Sequence, residues 1–159
     1  MTDVVLTMIF NPQRGMLLFL ASIFLAACSG EVEDTRPGQP VKSRQVAFKE
    51  IIKVFEPMGV MLRENRYNAD EFETLSAKLI EKRDAPWSHF GADTNYPPTK
   101  STSEVWSQPE KFKEQQDQFV KVTNALLVAA KNKDQKQAQE AYSAVHDSCK
   151  SCHKTFKTR

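Results

Sequence analysis

The chain has 159 residues, 40% of them hydrophobic and 26% charged, enough for one domain with a hydrophobic core. Only 5 glycines argue against a glycine-rich phosphate loop or a turn-dense all-β fold, and a formal net charge of +2 gives no reason to expect a nucleic-acid partner. The 3 cysteines divide into a close pair, Cys149 and Cys152, and a lone Cys28 far upstream, which argues against a disulfide framework.

The chain opens as an export signal. Arg14 precedes an apolar run over residues 16–27 that is too short to span a bilayer as a helix. The run ends in Leu25-Ala26-Ala27-Cys28-Ser29, and small residues followed by cysteine resemble the bacterial lipoprotein cleavage box. That resemblance implies removal of residues 1–27 and a diacylglyceryl group on Cys28. Ser29, in place of an aspartate after the cysteine, further implies sorting to the outer membrane. The alternative is an ordinary cleaved signal with a chance cysteine, although an unpaired exported cysteine then lacks a purpose. Asp3 and the long stretch before Arg14 are atypical of such signals, which makes Met8 an alternative start. Residues 28–42 follow as a polar tether broken by Pro37, Gly38 and Pro40.

Four helical stretches come next, with no internal repeat. The first carries Val41, Arg44, Phe48, Ile51, Phe55, Met58 and Leu62, stepping by three and four residues down one face. Pro57 should kink that helix or end its regular hydrogen bonding nearby. The second opens with Asn68 as N-cap and Glu71 three residues on, then repeats Phe72, Leu75 and Leu79. The third opens similarly, with Ser107 ahead of Pro109 and Glu110, and continues through Phe112, Phe119, Val122 and Leu126. The fourth starts at Asp134 and runs through Ala138, Ala141, Val145, Cys149, Cys152 and Phe156. Between the second and third, residues 84–106 are rich in proline, aromatics and polar residues and read as a long, partly ordered crossover loop. No single amphipathic helix of this kind is stable alone in water, so mutual burial must hold them. The expected class is all-α, an antiparallel four-helix bundle whose domain covers residues 43–159.

The chemistry lies in Cys149-Lys150-Ser151-Cys152-His153. On a helix, residues three and four apart share a face, so the two thiols and the imidazole project together. Two thiols at that separation suit addition across the vinyl groups of one porphyrin, with His153 as an axial ligand of its iron. A zinc site needs a further ligand, and His89 and His146 show no metal-ligand spacing. A thioredoxin-like motif belongs at a helix N-terminus among strands, whereas this one ends a helix. Arg44 interrupts the apolar stripe of the first helix. Either it meets an anionic partner, such as a haem propionate, or it snorkels to water near the helix start.

The segment over residues 43–159 resembles the cytochrome c′ family, the class II c-type cytochromes. Arg44-x-x-x-Phe48 looks like the family's arginine and distal-face residue, and Phe55 and Met58 fit its downstream core positions. Pro86-Trp87-Ser88-His89-Phe90 looks like its Pro-Trp-x-x-Phe segment, and Glu104-Val105-Trp106 its tryptophan motif before the third helix. Attachment of haem at the C-terminal end is the family's most recognisable feature. The resemblance implies one haem c, covalently held by Cys149 and Cys152 and ligated by His153.

In low-spin members a methionine at the place of Phe48 is the sixth ligand, whereas in cytochrome c′ proper a non-ligating residue leaves the iron five-coordinate. Phe48 cannot bind iron, and Met58 and Met61 lie two to three turns on, so core filling suits them better. The expectation is a five-coordinate, high-spin haem whose distal wall is Phe48 and, by resemblance, Phe90. Such a wall favours NO, and CO subject to crowding, over a polarised dioxygen. Buffering or sensing of NO in the periplasm follows, with electron transfer between redox partners as the rival function. No acid–base residue stands at Phe48, so no enzyme activity is expected. The family's proximal basic residue, usually arginine, corresponds to Lys157, and His146 falls roughly on the face of His153 as a packing or haem-edge residue. The resemblance also implies homodimers made through the first two helices.

Overall fold

The computed structural model describes residues 32–158; Cys28 and the expected signal lie outside the described residues. Helix α1 is Pro40–Arg63, with Pro40 pre-setting the backbone of its first turn. Its buried side keeps Val41, Arg44, Ile51, Phe55 and Met58 of the expected stripe and adds Val54, Gly59 and Met61, with Phe48 and Leu62 half-buried at the edges. Pro57, expected to kink or interrupt the helix, lies inside an element that continues to Arg63. It is exposed, so water can supply the donor its ring removes from the ladder.

Helix α2, Ala69–Lys82, starts where expected. The Asn68 side-chain oxygen accepts from the backbone N–H groups of Asp70 and Glu71, both at 3.1 Å. Phe72, Ser76 and Leu79 are its buried face. The crossover then contains a 3₁₀ turn, Trp87–His89, and a one-turn helix α3, Glu104–Ser107. Helix α4 is Pro109–Lys131 and helix α5 is Gln135–Phe156. The N-cap of α4 is Gln108, with no side-chain capping bond, and not Ser107. Ser107 is already helical, its N–H bonded to the Ser103 carbonyl at 3.0 Å, so its hydroxyl sits one position too early to cap α4. Asp134 does cap α5, accepting from Gln137 N–H at 2.9 Å.

The four long helices run antiparallel. Lys133, just past the end of α4, reaches Asp70 at the start of α2 at 2.8 Å. Arg83, past the end of α2, donates to the Thr123 hydroxyl at 3.0 Å and to the Val120 carbonyl at 3.3 Å, further up α4. Between α1 and α5, Phe55 stacks on Tyr142 with centroids 4.3 Å apart. A Cβ on Gly59 would lie 2.1 Å from the Tyr142 hydroxyl, so glycine is what admits that ring. The core is one apolar cluster including Ile51, Phe55, Met58, Phe72, Leu79, Phe119, Leu126 and Val145. A smaller one, of Val105, Phe112 and Phe156, closes the end of the bundle where α5 finishes. Among the described residues no helix is long and apolar enough to cross a membrane.

The folded unit starts earlier than the expected boundary at residues 42 and 43. Val41 is fully buried, and Asp34, within the stretch expected to be tether, is only 2% exposed. Its carboxylate accepts from the backbone of Lys42 at 3.0 Å and from the Tyr96 hydroxyl at 2.8 Å. Composition alone marks this stretch as polar and proline-broken; a partner 62 residues away is what orders it.

Candidate functional site

Helix α5 places Cys149 and Cys152 on its inner side, both half-buried and both free thiols. Cys149 lies against the main core cluster together with Phe48 and Trp87, while Cys152 lies against the smaller cluster together with Trp87, Phe90 and Trp106. Trp87 therefore bridges the two. Its ring meets Phe48 edge-on at 5.5 Å, and Phe112 and Phe119 each at 6.2 Å. Phe90 lies 6.4 Å from Phe48 and 5.0 Å from Phe112. The structure thus brings Phe48 and Phe90, from separate parts of the chain, together at Trp87, and each cysteine packs against one of the two clusters that Trp87 joins. Aromatic pairs at these separations contribute about 0.5–1.5 kcal/mol each beyond their buried area.

Sequence reasoning used Trp87 only as part of a motif. Its central place depends on α4, whose Phe112 and Phe119 flank it, and the only sequence signal was a tryptophan inside a loop otherwise lacking apolar periodicity. Its indole Nε1 is buried without a hydrogen-bond partner, which is costly unless an acceptor is supplied.

Arg44 does not snorkel. It is 2% exposed, and its guanidinium is enclosed by the crossover loop. Nη1 donates to the His89 carbonyl at 3.1 Å and the Thr94 hydroxyl at 2.9 Å. Nη2 donates to the Thr94 carbonyl at 2.9 Å and the Thr99 hydroxyl at 2.6 Å. The same group lies 4.8 Å from the Phe90 ring centroid and 5.8 Å from that of Trp106. Burial pulls its pKa below the ordinary arginine value, yet such a group remains protonated. A buried cation, its hydrogen bonds made to neutral acceptors and its charge attracted by Asp34, thus sits beside the aromatic group.

Burial pushes the Cys149 thiol up and raises Cys152 to about 11, with the neighbouring Cys149 adding to the second shift. His153 is partly exposed; burial of the rest of its ring, and then the charge of Lys157, lower its pKa. The imidazole is thus neutral at pH 7, the form that can donate a lone pair to a metal. His153 and Lys157 line one open depression with Lys100 and Thr158. His146 is exposed, its Nδ1 4.0 Å from a carboxylate oxygen of Asp147. Met58 and Met61 are buried core residues. The sulfur of Met58 lies 3.5 Å from the Ser76 hydroxyl, which donates to the Phe72 carbonyl at 2.8 Å, and that of Met61 accepts from the Asn68 backbone N–H at 3.2 Å.

The sequence profile of the family described as Cytochrome C' matches residues 39–157. The chain belongs to the cytochrome c′ family. It is 27% identical over 125 residues to cytochrome c′ of Alcaligenes xylosoxydans xylosoxydans, an alignment covering 78% of this chain and 97% of that protein. It superimposes on cytochrome c prime from Shewanella frigidimarina with a TM-score of 0.74 at 28% identity, over 80% of this chain and all of that one. A nitric oxide complex of a leucine-to-isoleucine variant of the Alcaligenes xylosoxidans protein gives a TM-score of 0.73 at 27% identity, covering 80% and 100% of the two chains. The same Alcaligenes protein is also known as a carbon monoxide-bound variant.

Cytochromes c′ bind haem c, and the residues of this chain fit that group. Cys149, Cys152 and His153 would supply the donors for covalent attachment and axial ligation, and Phe48, Trp87 and Phe90 would offer an apolar wall to a flat macrocycle. The haem carboxylates are acceptors of the kind that the buried Trp87 Nε1–H lacks and that Arg44 would attract.

Proposed function

We propose that this chain carries a single haem c, covalently bound through Cys149 and Cys152, with His153 as its only axial ligand, and that it binds NO and CO on the opposite side. When bound, the haem supplies an iron with one open coordination position. What this chain supplies is the surroundings of that position. The observation that carries the reading is Phe48, a side chain with no donor atom, edge-on to Trp87 in the cluster against which Cys149 lies. Met58 and Met61, the nearest alternative sulfur ligands on α1, are turned to Ser76 and Asn68. Phe48 and Phe90 present only carbon, exclude water and offer nothing to a polarised dioxygen. The nitric oxide and carbon monoxide complexes of the Alcaligenes relative support the same choice of ligands.

The physiological role that fits is NO buffering in the periplasm, without catalytic turnover, in a protein anchored to the outer membrane through lipidated Cys28. A second reading, electron exchange with periplasmic partners, is favoured by the exposure of His153 beside Lys100 and Lys157. Absorption spectra of the mature protein, oxidised and reduced, decide between them. The gas-binding reading predicts broad high-spin bands and prompt changes on adding NO or CO to the reduced form. Sharp, split low-spin bands that ignore both gases would show a sixth ligand and leave electron transfer.

A further inference from the structure

The crossover loop that carries Phe90 is held in an unusual way. Of residues 89–99 only Thr94 is buried, so apart from Phe90, packed among Phe48, Trp87, Trp106 and Phe112, the loop has little apolar anchorage of its own. Trp106 Nε1–H donates to the Gly91 carbonyl at 2.8 Å and the Gln45 amide to the Pro98 carbonyl at 3.1 Å, and the rest of the polar hold comes from two sides. From within, Arg44 takes the His89 and Thr94 carbonyls and the two threonine hydroxyls. From outside, the segment ahead of α1 folds back over it. The Tyr96 hydroxyl donates to Asp34 at 2.8 Å. The Arg36 guanidinium covers the Tyr96 ring at 3.9 Å and donates to the Asp93 carbonyl at 2.9 Å.

That segment is itself braced. Gly38 and Gln39 take positive φ angles of 75° and 43°, a turn that returns the chain towards the bundle. Gln39, a residue that pays strain for this conformation, is secured by its side-chain amide donating to the Asp34 carbonyl at 2.9 Å. Asp34, fixed at both carboxylate oxygens, is thus a rigid post to which the loop is tied.

We infer that Asp34, Arg36 and Tyr96 form a clasp that positions the Phe90 side of the pocket and so sets how readily a small ligand enters it. The inference rests on the gas-binding reading above. None of the three touches the aromatic group around Cys149; they act through the loop, as positioning residues. With the clasp loosened, Phe90 keeps its contacts with Phe48, Trp87, Trp106 and Phe112 and its inner hold by Arg44, but the outer side of the loop is free and the wall yields more often.

The test uses the haem-loaded protein and two mild variants, Tyr96→Phe and Asp34→Asn. Tyr96→Phe removes one hydroxyl and keeps the ring beneath Arg36. Two quantities are read on each: amide hydrogen exchange, and the rate of CO association with the reduced form. The clasp predicts faster exchange at Thr94 and Thr99, unchanged exchange in α2 and α4, and CO association several-fold faster in Tyr96→Phe. The ligand-free reduced spectrum should stay as in the parent, because nothing on the His153 side has changed. Unchanged loop exchange overturns the clasp. Faster loop exchange with an unchanged CO rate overturns its control of entry. A parent protein that takes up no CO overturns the gas-binding reading and this inference with it, and that failure shows before any variant is made.

Discussion

Replacing Gly59 by alanine sets two effects of opposite sign against each other. An exposed helical glycine changed to alanine would gain about 1 kcal/mol from backbone entropy and solvation. Gly59 is not exposed; an added Cβ would stand 2.1 Å from the Tyr142 hydroxyl, 2.7 Å from its Cζ and 3.0 Å from Arg63 Nη1. The ring cannot simply slide, because it stacks on Phe55 at 4.3 Å with planes 9° apart. Overpacking of this kind costs about 1–3 kcal/mol, and losing the stacked pair about 0.5–1.5 more. The net expectation for Gly59→Ala is a destabilisation of about 1–3 kcal/mol, a fall in melting temperature of roughly 5–10 °C for a domain this size. Urea unfolding followed by circular dichroism, with matched thermal scans, measures it. Removing the hydroxyl in Tyr142→Phe relieves the shortest contact, so the double variant should recover part of the loss, with a coupling of about 1 kcal/mol. A Gly59→Ala protein more stable than its parent would refute the close approach of α5 to α1.

Phe48→Met should place a sulfur where the ring now meets Trp87 and move the spectrum towards six-coordinate low spin; an untouched spectrum would mean that residue 48 does not face the iron. Asp34 gives a pH signature. Burial raises its pKa, but the Lys42 backbone, the Tyr96 hydroxyl and the Arg36 backbone outweigh burial and hold it below the ordinary value. Its contribution is therefore present above the unfolded carboxylate value of about 3.9 and is lost as pH falls through the lower folded value. Hydrogen exchange in residues 89–99 should quicken over that acid window in the parent, and Asp34→Asn should abolish the step. For the membrane anchor, labelling by a fatty-acid probe should vanish in Cys28→Ala; persistent label would place the lipid elsewhere.

The helices were legible because their buried faces repeat at three and four residues and because Asn68 and Asp134 are side-chain caps, both of them local signals. The attachment motif was legible for the same reason, since Cys149, Cys152 and His153 lie within one turn and a half of helix. What escaped was set by distance along the chain. Asp34 reads as tether until Tyr96 is seen beside it, and Arg44 reads as a cation in search of an anion until the loop carbonyls close around it. Ser107 read as a cap because a one-turn helix just before a proline leaves no periodic trace. Phe48 and Phe90 came from the resemblance, and the fold adds the reason they meet: Trp87, between them and α4.

The central claim is covalent haem on helix α5, and intact-mass spectrometry tests it most directly. Exported without the lipid, as Cys28→Ala behind a plain cleaved signal, and made in a host with a working cytochrome c assembly system, the protein should be heavier than its polypeptide by the mass of one haem, and that mass should survive acid denaturation. Fragmentation should place it on the peptide carrying Cys149 and Cys152. A denatured chain at its bare polypeptide mass, with both thiols free to alkylate, would contradict the account.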